Sequence, residues 1–331
     1  MECSTNSPAT GRYGSVAAKL PWTALRRGIV GAGLLLPGAA SAQSLPTVPA
    51  NYVSSCSDSA QRPAVARRLP LVVGAYATGY GALYTGLAVS WYTGEKVPLH
   101  WFNDLPEWQQ LDKAGHFWGA FHESQGAVDM LRWAGLSEKK AIWYGSFAGF
   151  ALQSPIEYFD GRDPAYGASP GDLAANLLGS LGVLGQQLAW HEVRLTPKVS
   201  FQFTPYARQR PDMLGRTVAE RLLKDYNGQT YWLCTDVGAF LKPDTRWPRW
   251  LQPALGYGGQ QMLYNDVARD RAVGLRPYRQ YYLSLDVDLR RIPTRHAWVR
   301  RVLYAASIVH LPAPALEWNP RRGLHGHGIS Y

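Results

Sequence analysis

"DKAGHFWGAFHE", residues 112–123, sets an acid, an imidazole and a second acid into a stretch built largely from Gly, Ala, Phe and Trp. In an α-helix, offsets of 4, 7 and 11 return to one face, so Asp112, His116, Gly119 and Glu123 form a single stripe. The following segments repeat the device. Ser146, Gly149, Gln153 and Glu157 recur at steps of three, four and four, and Asp172, Asn176, Gly179 and Val183 line a third helix whose last member is apolar. If the stripes face one another, one interior gathers Asp112, His116, Glu123, Gln153, Glu157, Asp172 and Asn176, with Lys113, Asp160 and Arg162 near its rim.

Buried groups of this kind are expensive unless they are paired. Two arrangements satisfy that need. In the first, Asp112, His116, Glu157 and Asp172 form a catalytic site, with His116, Asp112 and Glu157 as ligands of a divalent metal, because neutral imidazole and carboxylates suit Zn or Mn and a raised carboxyl pKa suits proton transfer. In the second, Lys113, Glu123, Gln153, Asp160, Arg162 and Asn176 join them in an interhelical network that fixes register, with Arg162 paired to Asp160 or Glu157. No H-E-x-x-H spacing accompanies His116, which favours the network.

Around this stripe the spacing predicts helices at about 112–134, 139–158 and 170–192, separated by turns at Gly135–Ser137 and in "DGRDPAYGASPGD" (160–172). Leu69–Tyr92 carries no charge and is long enough for a bilayer-crossing helix, with a buried helix as the alternative. Small residues four apart, Ala75/Gly79, Ala82/Gly86, Gly115/Gly119 and Gly145/Gly149, let backbones approach closely. Residues 69–195 therefore read as a Gly-rich, membrane-associated four-helix bundle. Residues 43–68, polar and rich in Pro and Ser, read as an extended lead-in. Before them, Lys19, Arg26 and Arg27 precede "GIVGAGLLLPGAA" and the small-residue site Ala40-Ser41-Ala42, so residues 1–42 read as a secretory signal peptide. Export into an oxidising compartment leaves Cys56 and Cys234, which either pair or stay as two small hydrophobes.

After Pro197 the period changes. "LGRTVAERLLKDYNGQ" (214–229) reads as one short amphipathic helix, and "TYWLCTDVGAFL", "PALGYGGQQMLY", "YRQYYLSLDVDLRRI" and "LYAASIVHL" read as antiparallel strands. The clearest alternation sets Leu283, Leu285, Val287 and Leu289 against Ser284, Asp286, Asp288 and Arg290. His325 and His327 read as part of a solvated tail, since no carboxylate or Cys set accompanies them in the sequence. The chain of 331 residues is 46% apolar and 18% charged, which excludes a disordered protein. Its formal charge of +10 is carried by scattered Arg rather than a basic run, which suits an anionic membrane surface and not nucleic acid. The expected partners are membrane lipid and an envelope protein or second copy of the chain.

"DKAGH" (112–116), "IEYFDGR" (156–162) and "ASPGDLAANLLGSLGVLGQ" (168–186) together resemble the motif order of the VanZ-like small membrane proteins. They resemble still more the uncharacterised YfiM-type family of predicted envelope lipoproteins. The resemblance marks Asp112, Lys113, His116, Glu157, Arg162, Asp172 and Asn176 as motif positions and implies an envelope protein without assigned activity. The chain departs from that pattern in having no Cys after the cleavage site and a long strand-rich C-terminal part. The expectation is thus an exported α+β protein, a helical bundle followed by an antiparallel β region (196–331), at the outer membrane or the periplasmic face of a membrane. It has a structural or interaction role; a metal-dependent hydrolase acting on an envelope lipid or cell-wall precursor is the alternative.

Overall fold

Helices dominate the first part of the described chain and strands the second, with shorter helices between the strands. A computed structural model describes residues 58–92, 94–242 and 245–330. The signal-peptide reading and Cys56 lie outside the described residues. Five helices, α1 (Asp58–Ser90), α2 (Leu111–Ala134), α3 (Glu138–Ser146), α4 (Ala148–Asp160) and α5 (Pro170–Trp190), precede six strands. These are β1 (Leu195–Phe201), β2 (Gln229–Thr235), β3 (Leu251–Gln260), β4 (Tyr278–Val287), β5 (Ala313–Asn319) and β6 (Gly323–Ser330). They form one antiparallel sheet in the order of the chain.

Helix α1 begins at Asp58, inside the stretch expected to be extended. It is not a bilayer span: no helix among the described residues is long and apolar enough to cross a membrane. Its Gly, Thr and Tyr residues dilute the hydropathy, and its tyrosines Tyr76, Tyr80 and Tyr84 instead form a ladder with ring centroids 6.2 and 6.0 Å apart. Helix α2 ends where Gly135 takes φ +92, which lets Leu136 N donate to Leu131 O (3.1 Å) and closes the last turn.

The segment expected as one helix at 139–158 is broken at Phe147 into α3 and α4. Hydroxyls from the neighbouring helices account for the break. Gly149 N donates to Ser124 Oγ (3.0 Å) and Phe150 N to Ser180 Oγ (2.9 Å), so these amides find acceptors outside their own helix. The glycine pairs act as predicted only in part. A Cβ on Gly149 would lie 2.0 Å from Ala120 O and one on Gly145 2.5 Å from Val128 N, so backbones touch there, whereas a Cβ on Gly79 would meet nothing within 4 Å. Phe121, Val128 and Val183 form the apolar centre between α2 and α5.

The sheet is rolled. Strands stand about 4.8 Å apart, so β1 and β4 would be separated by about 14 Å in a flat sheet, yet Lys198 Nζ on β1 bonds Asp286 Oδ2 on β4. The roll is drawn in further by residues 308–310, which pair with the free edge of β1: Val199 N donates to Ile308 O (3.1 Å) and His310 N to Val199 O (2.9 Å). Inside lie Trp232, Cys234, Ala254, Tyr282 and Ala315, with the His310 ring stacked 3.8 Å from Trp232. Burial pushes the Cys234 thiol well up, and Sγ lies 3.5 Å from Asp286 Oδ2.

Several strand expectations change. The first four residues of "LYAASIVHL" (303–311) are the end of a helix, Ala297–Ala306, because its apolar residues also satisfy a helical period, and only residues 308–310 pair with a strand. The short amphipathic helix is Val218–Lys224, started by Thr217 Oγ1 accepting from Glu220 N (3.2 Å). The tail is not solvated coil but strand β6.

Candidate functional site

Each polar stripe reaches its place through a local device. Before α2, Trp108, Gln109 and Gln110 hold φ of 45, 53 and 63, a left-handed run that costs energy in non-glycine residues. It is held from the sheet: Arg279 Nη2 donates to Gln110 Oε1 (2.6 Å) and the Tyr257 hydroxyl to Gln109 O. The run aims the first turn of α2, with Asp112 and Lys113, at the start of α5. There Ser169 caps the helix, accepting from Asp172 N (3.0 Å) ahead of Pro170 at the first position.

Lys113 is the centre of the site and not its rim. Its Nζ lies 2.6 Å from Asp104 Oδ2, 2.8 Å from Asp112 Oδ2 and 2.8 Å from Asp172 Oδ1. Burial works to lower its pKa, but Asp112, Asp172 and Asp104 outweigh it and keep the ammonium charged. Asp104 is in turn held below the ordinary carboxylate range: burial acts against this, and the bonds from Lys113 and Ser169 overcome it. Asp104 and Ser169 were not singled out by the stripe. Ser169 Oγ donates to Asp104 Oδ1 (2.6 Å), and the one signal for it was the S-P-x-D order of a helix start.

His116 sits one turn further along. Its Nδ1 is 3.1 Å from Asn176 Oδ1, and with the proton placed there Nε2 is left free to face Asp172 Oδ1 at 3.7 Å. Glu157 closes the group from α4. Its Oε2 accepts from Ser169 N (3.0 Å), while Oε1 is buried without a hydrogen bond. Burial and the nearby Asp172 charge push the Glu157 carboxyl up to about 8, so it carries its proton at neutral pH. Asp112 Oδ1, Asp172 Oδ1 and Asn176 Nδ2 also lack a hydrogen bond of good direction. One ligand atom each from His116, Glu157 and Asp172 falls within 4.8 Å of the others, as does one each from Asp104, Asp112 and Asp172, the latter set already holding the Lys113 ammonium.

The remaining predicted residues lie elsewhere. Glu123 and Gln153 form a second station further along α2, where Glu123 meets Tyr80 of the tyrosine ladder. Burial raises the Glu123 carboxyl to about 7 against the opposing bonds from Tyr80 and Gln153. Asp160 accepts from the Tyr92 hydroxyl (2.7 Å), and burial raises it to about 6. The expected pairing of Arg162 with Asp160 or Glu157 does not occur among the described ion pairs; what Arg162 offers is its carbonyl, which accepts from Val97 N (3.1 Å). Cys234 lies in the core of the sheet and not at the site.

Residues 100–185, which contain every member of this group, match a family model described as "Predicted periplasmic lipoprotein (DUF2279)". The similarity extends over about a quarter of the chain and agrees with an exported protein of the cell envelope. No curated protein matches the chain. No solved structure matches it either.

Proposed function

We propose that the chain is a non-catalytic, membrane-associated envelope protein of the YfiM type, with a VanZ-like motif, whose rolled sheet rests its outer face on lipid and whose four-helix polar network serves as the scaffold. The observation that carries this is the inverted pattern of the strands. Leu233, Leu255, Leu283 and Leu316 stand in register across β2 to β5, and each is at least 40% exposed. The residues between them, including Lys198, Gln252, Ser284, Asp286 and Glu317, are buried. Scattered exposed leucines are ordinary, whereas adjoining strands that all turn their apolar side outward make a patch that needs an occupant.

Lipid fits that occupant. Beside the leucine row Tyr281 and Trp318 are also exposed, their row neighbours Tyr231 and Tyr257 being covered by α2 and the turn before it, and beyond them the loops at that end expose Arg276, Arg321 and Arg322. Apolar surface, then aromatics, then cations is the order met on passing from acyl chains to anionic headgroups. The outer membrane is the favoured location, since an export signal combined with terminal strands suits it. The test is flotation of the full chain with vesicles of phosphatidylglycerol and phosphatidylethanolamine. Wild-type protein is expected to float, and Leu255→Glu with Leu283→Glu to remain below with an unchanged far-UV circular dichroism spectrum. Wild-type protein that stays below, or a double variant whose only change is dissociation of an oligomer, overturns the lipid assignment.

A second reading, a metal-dependent hydrolase acting on an envelope lipid or cell-wall precursor, is favoured by Glu157 Oε1, buried without a hydrogen bond, and by Asp172 Oδ1 facing His116 Nε2. In it His116, Glu157 and Asp172, with Asp112 beside them, hold a divalent ion that would supply a Lewis acid. Stoichiometric metal lost from His116→Ala without loss of folding supports it; metal-free protein whose variant merely melts earlier supports the scaffold.

A further inference from the structure

The geometry points to a divalent transition-metal site, of the kind that takes Zn2+, formed by Glu317, His325 and His327 on the β5–β6 hairpin. It depends on neither reading above. The sequence separates these residues into an acid and a pair of tail histidines, and the hairpin brings them together. Glu317 stands directly opposite His325 in the strand register, and His327, two residues on, shares the same face. Both Nε2 atoms lie close to one oxygen: Glu317 Oε2 is 3.2 Å from His325 Nε2 and 2.7 Å from His327 Nε2, the latter in hydrogen-bond geometry. A tetrahedral ion with bonds of about 2.0–2.1 Å keeps its ligand atoms about 3.3 Å apart, so the two carboxylate–imidazole separations need to open by only tenths of an ångström, and all three atoms already lie within 4.8 Å of one another.

The surroundings are those of a built ligand set. Glu317 is 3% exposed on its side chain. Its other oxygen, Oε1, accepts from Gln280 Nε2 and Asn319 Nδ2, both at 2.7 Å, which leaves Oε2 directed at the imidazoles. His325 Nδ1 faces Gly323 O at 3.4 Å. With the proton on that nitrogen, the bare Nε2 confronts a carboxylate oxygen, acceptor against acceptor, and a cation between them removes the conflict. Two imidazoles and one carboxylate select zinc-like ions over Mg2+ or Ca2+, which prefer all-oxygen sets. Three protein ligands leave a fourth position to water. The imidazoles are partly exposed on the outermost strand, which gives an ion its way in.

The experiment is a Zn2+ titration of chelator-stripped full chain, followed by calorimetry and by NMR of the imidazole nitrogens. One equivalent is expected to shift the Nε2 resonances of both His325 and His327. His325→Ala with His327→Ala should lose that equivalent, while His116→Ala keeps it. Gln280→Ala, which removes only a bond to the non-ligating oxygen, should weaken binding by about 10–100-fold. Unmoved resonances of His325 and His327 in the wild-type chain, or the same stoichiometry and affinity in the double variant, overturn the assignment. The wild-type NMR result decides the matter even if the double variant does not fold.

Discussion

The helical layer and the rolled sheet both bury charge, and they satisfy it differently. In the sheet, each buried strand carboxylate has partners for both oxygens. Asp286 takes Lys198 and Leu311 N, and Glu317 takes Gln280, Asn319 and the two histidines. In the helices, Asp112, Glu157 and Asp172 each keep one oxygen without a directed hydrogen bond, and one ammonium is shared among three acids. A strand ladder absorbs its own backbone polar groups and leaves side chains to pair across the roll, whereas helices meeting through glycine bring several stripes to one narrow place with too few donors. Among the motif and strand carboxylates, the oxygens lacking a directed hydrogen bond therefore gather where the motif lies, while in the roll it is His310 and Gln252 that keep unbonded side-chain atoms.

The contrast can be tested in order of effect. Lys198→Met leaves Asp286 as an unpaired buried charge and should cost about 3–5 kcal/mol, read from the midpoint of urea unfolding. A loss below 1 kcal/mol would mean that the Lys198–Asp286 pair does not hold the roll together. Gly149→Ala drives a methyl into Ala120 O, where only a backbone shift gives room. We expect about 1–3 kcal/mol, with a drop in melting temperature as the readout, and no change would show that α4 does not rest on α2.

Ser169→Ala removes both the cap of α5 and a donor to Asp104, for about 1 kcal/mol or somewhat more. Its chemical-denaturation midpoint should fall accordingly, and an unaltered midpoint would sever Asp104 from the site. Glu123→Gln has the smallest effect and the most specific. The native carboxyl, raised to about 7, keeps a proton that the unfolded chain gives up near 4.5, so native protein binds more protons across that window and stability falls as pH rises through it. The glutamine variant should flatten that part of a stability–pH curve between about 4.5 and 7; an identical slope would place the ionisable burden elsewhere.

How far the sequence revealed these two regions differs in the same way. Helical spacing alone joined Asp112, His116, Glu157, Asp172 and Asn176, because a repeat of about 3.6 residues leaves a face visible in one dimension. It placed Lys113 at the rim, since nothing local announces that Asp104, eight residues before Asp112, folds back over it. Nor did it anticipate the break at Phe147, which comes from Ser124 and Ser180 on other helices. For β4 the alternation of Leu283 and Leu285 with Ser284 and Asp286 was plain, but period two does not say which side faces inward. That is settled by Lys198, whose partner Asp286 is remote in sequence. Strands β5 and β6 were hidden by Pro, Gly and His, residues that carry little strand signal, and the carboxylate belonging to the histidines became visible only through cross-strand register.

The seam between Val199 and residues 308–310 has a consequence for how the chain acquires its shape. It joins points about 110 residues apart, so the roll cannot shut until nearly all of the polypeptide is available. Closing so long a loop is slow, and the rate falls as contacts become more distant in sequence. Closure of the roll thus depends on a segment close to the end of the sequence, and a chain cut before residue 308 lacks what pairs with the free edge of β1.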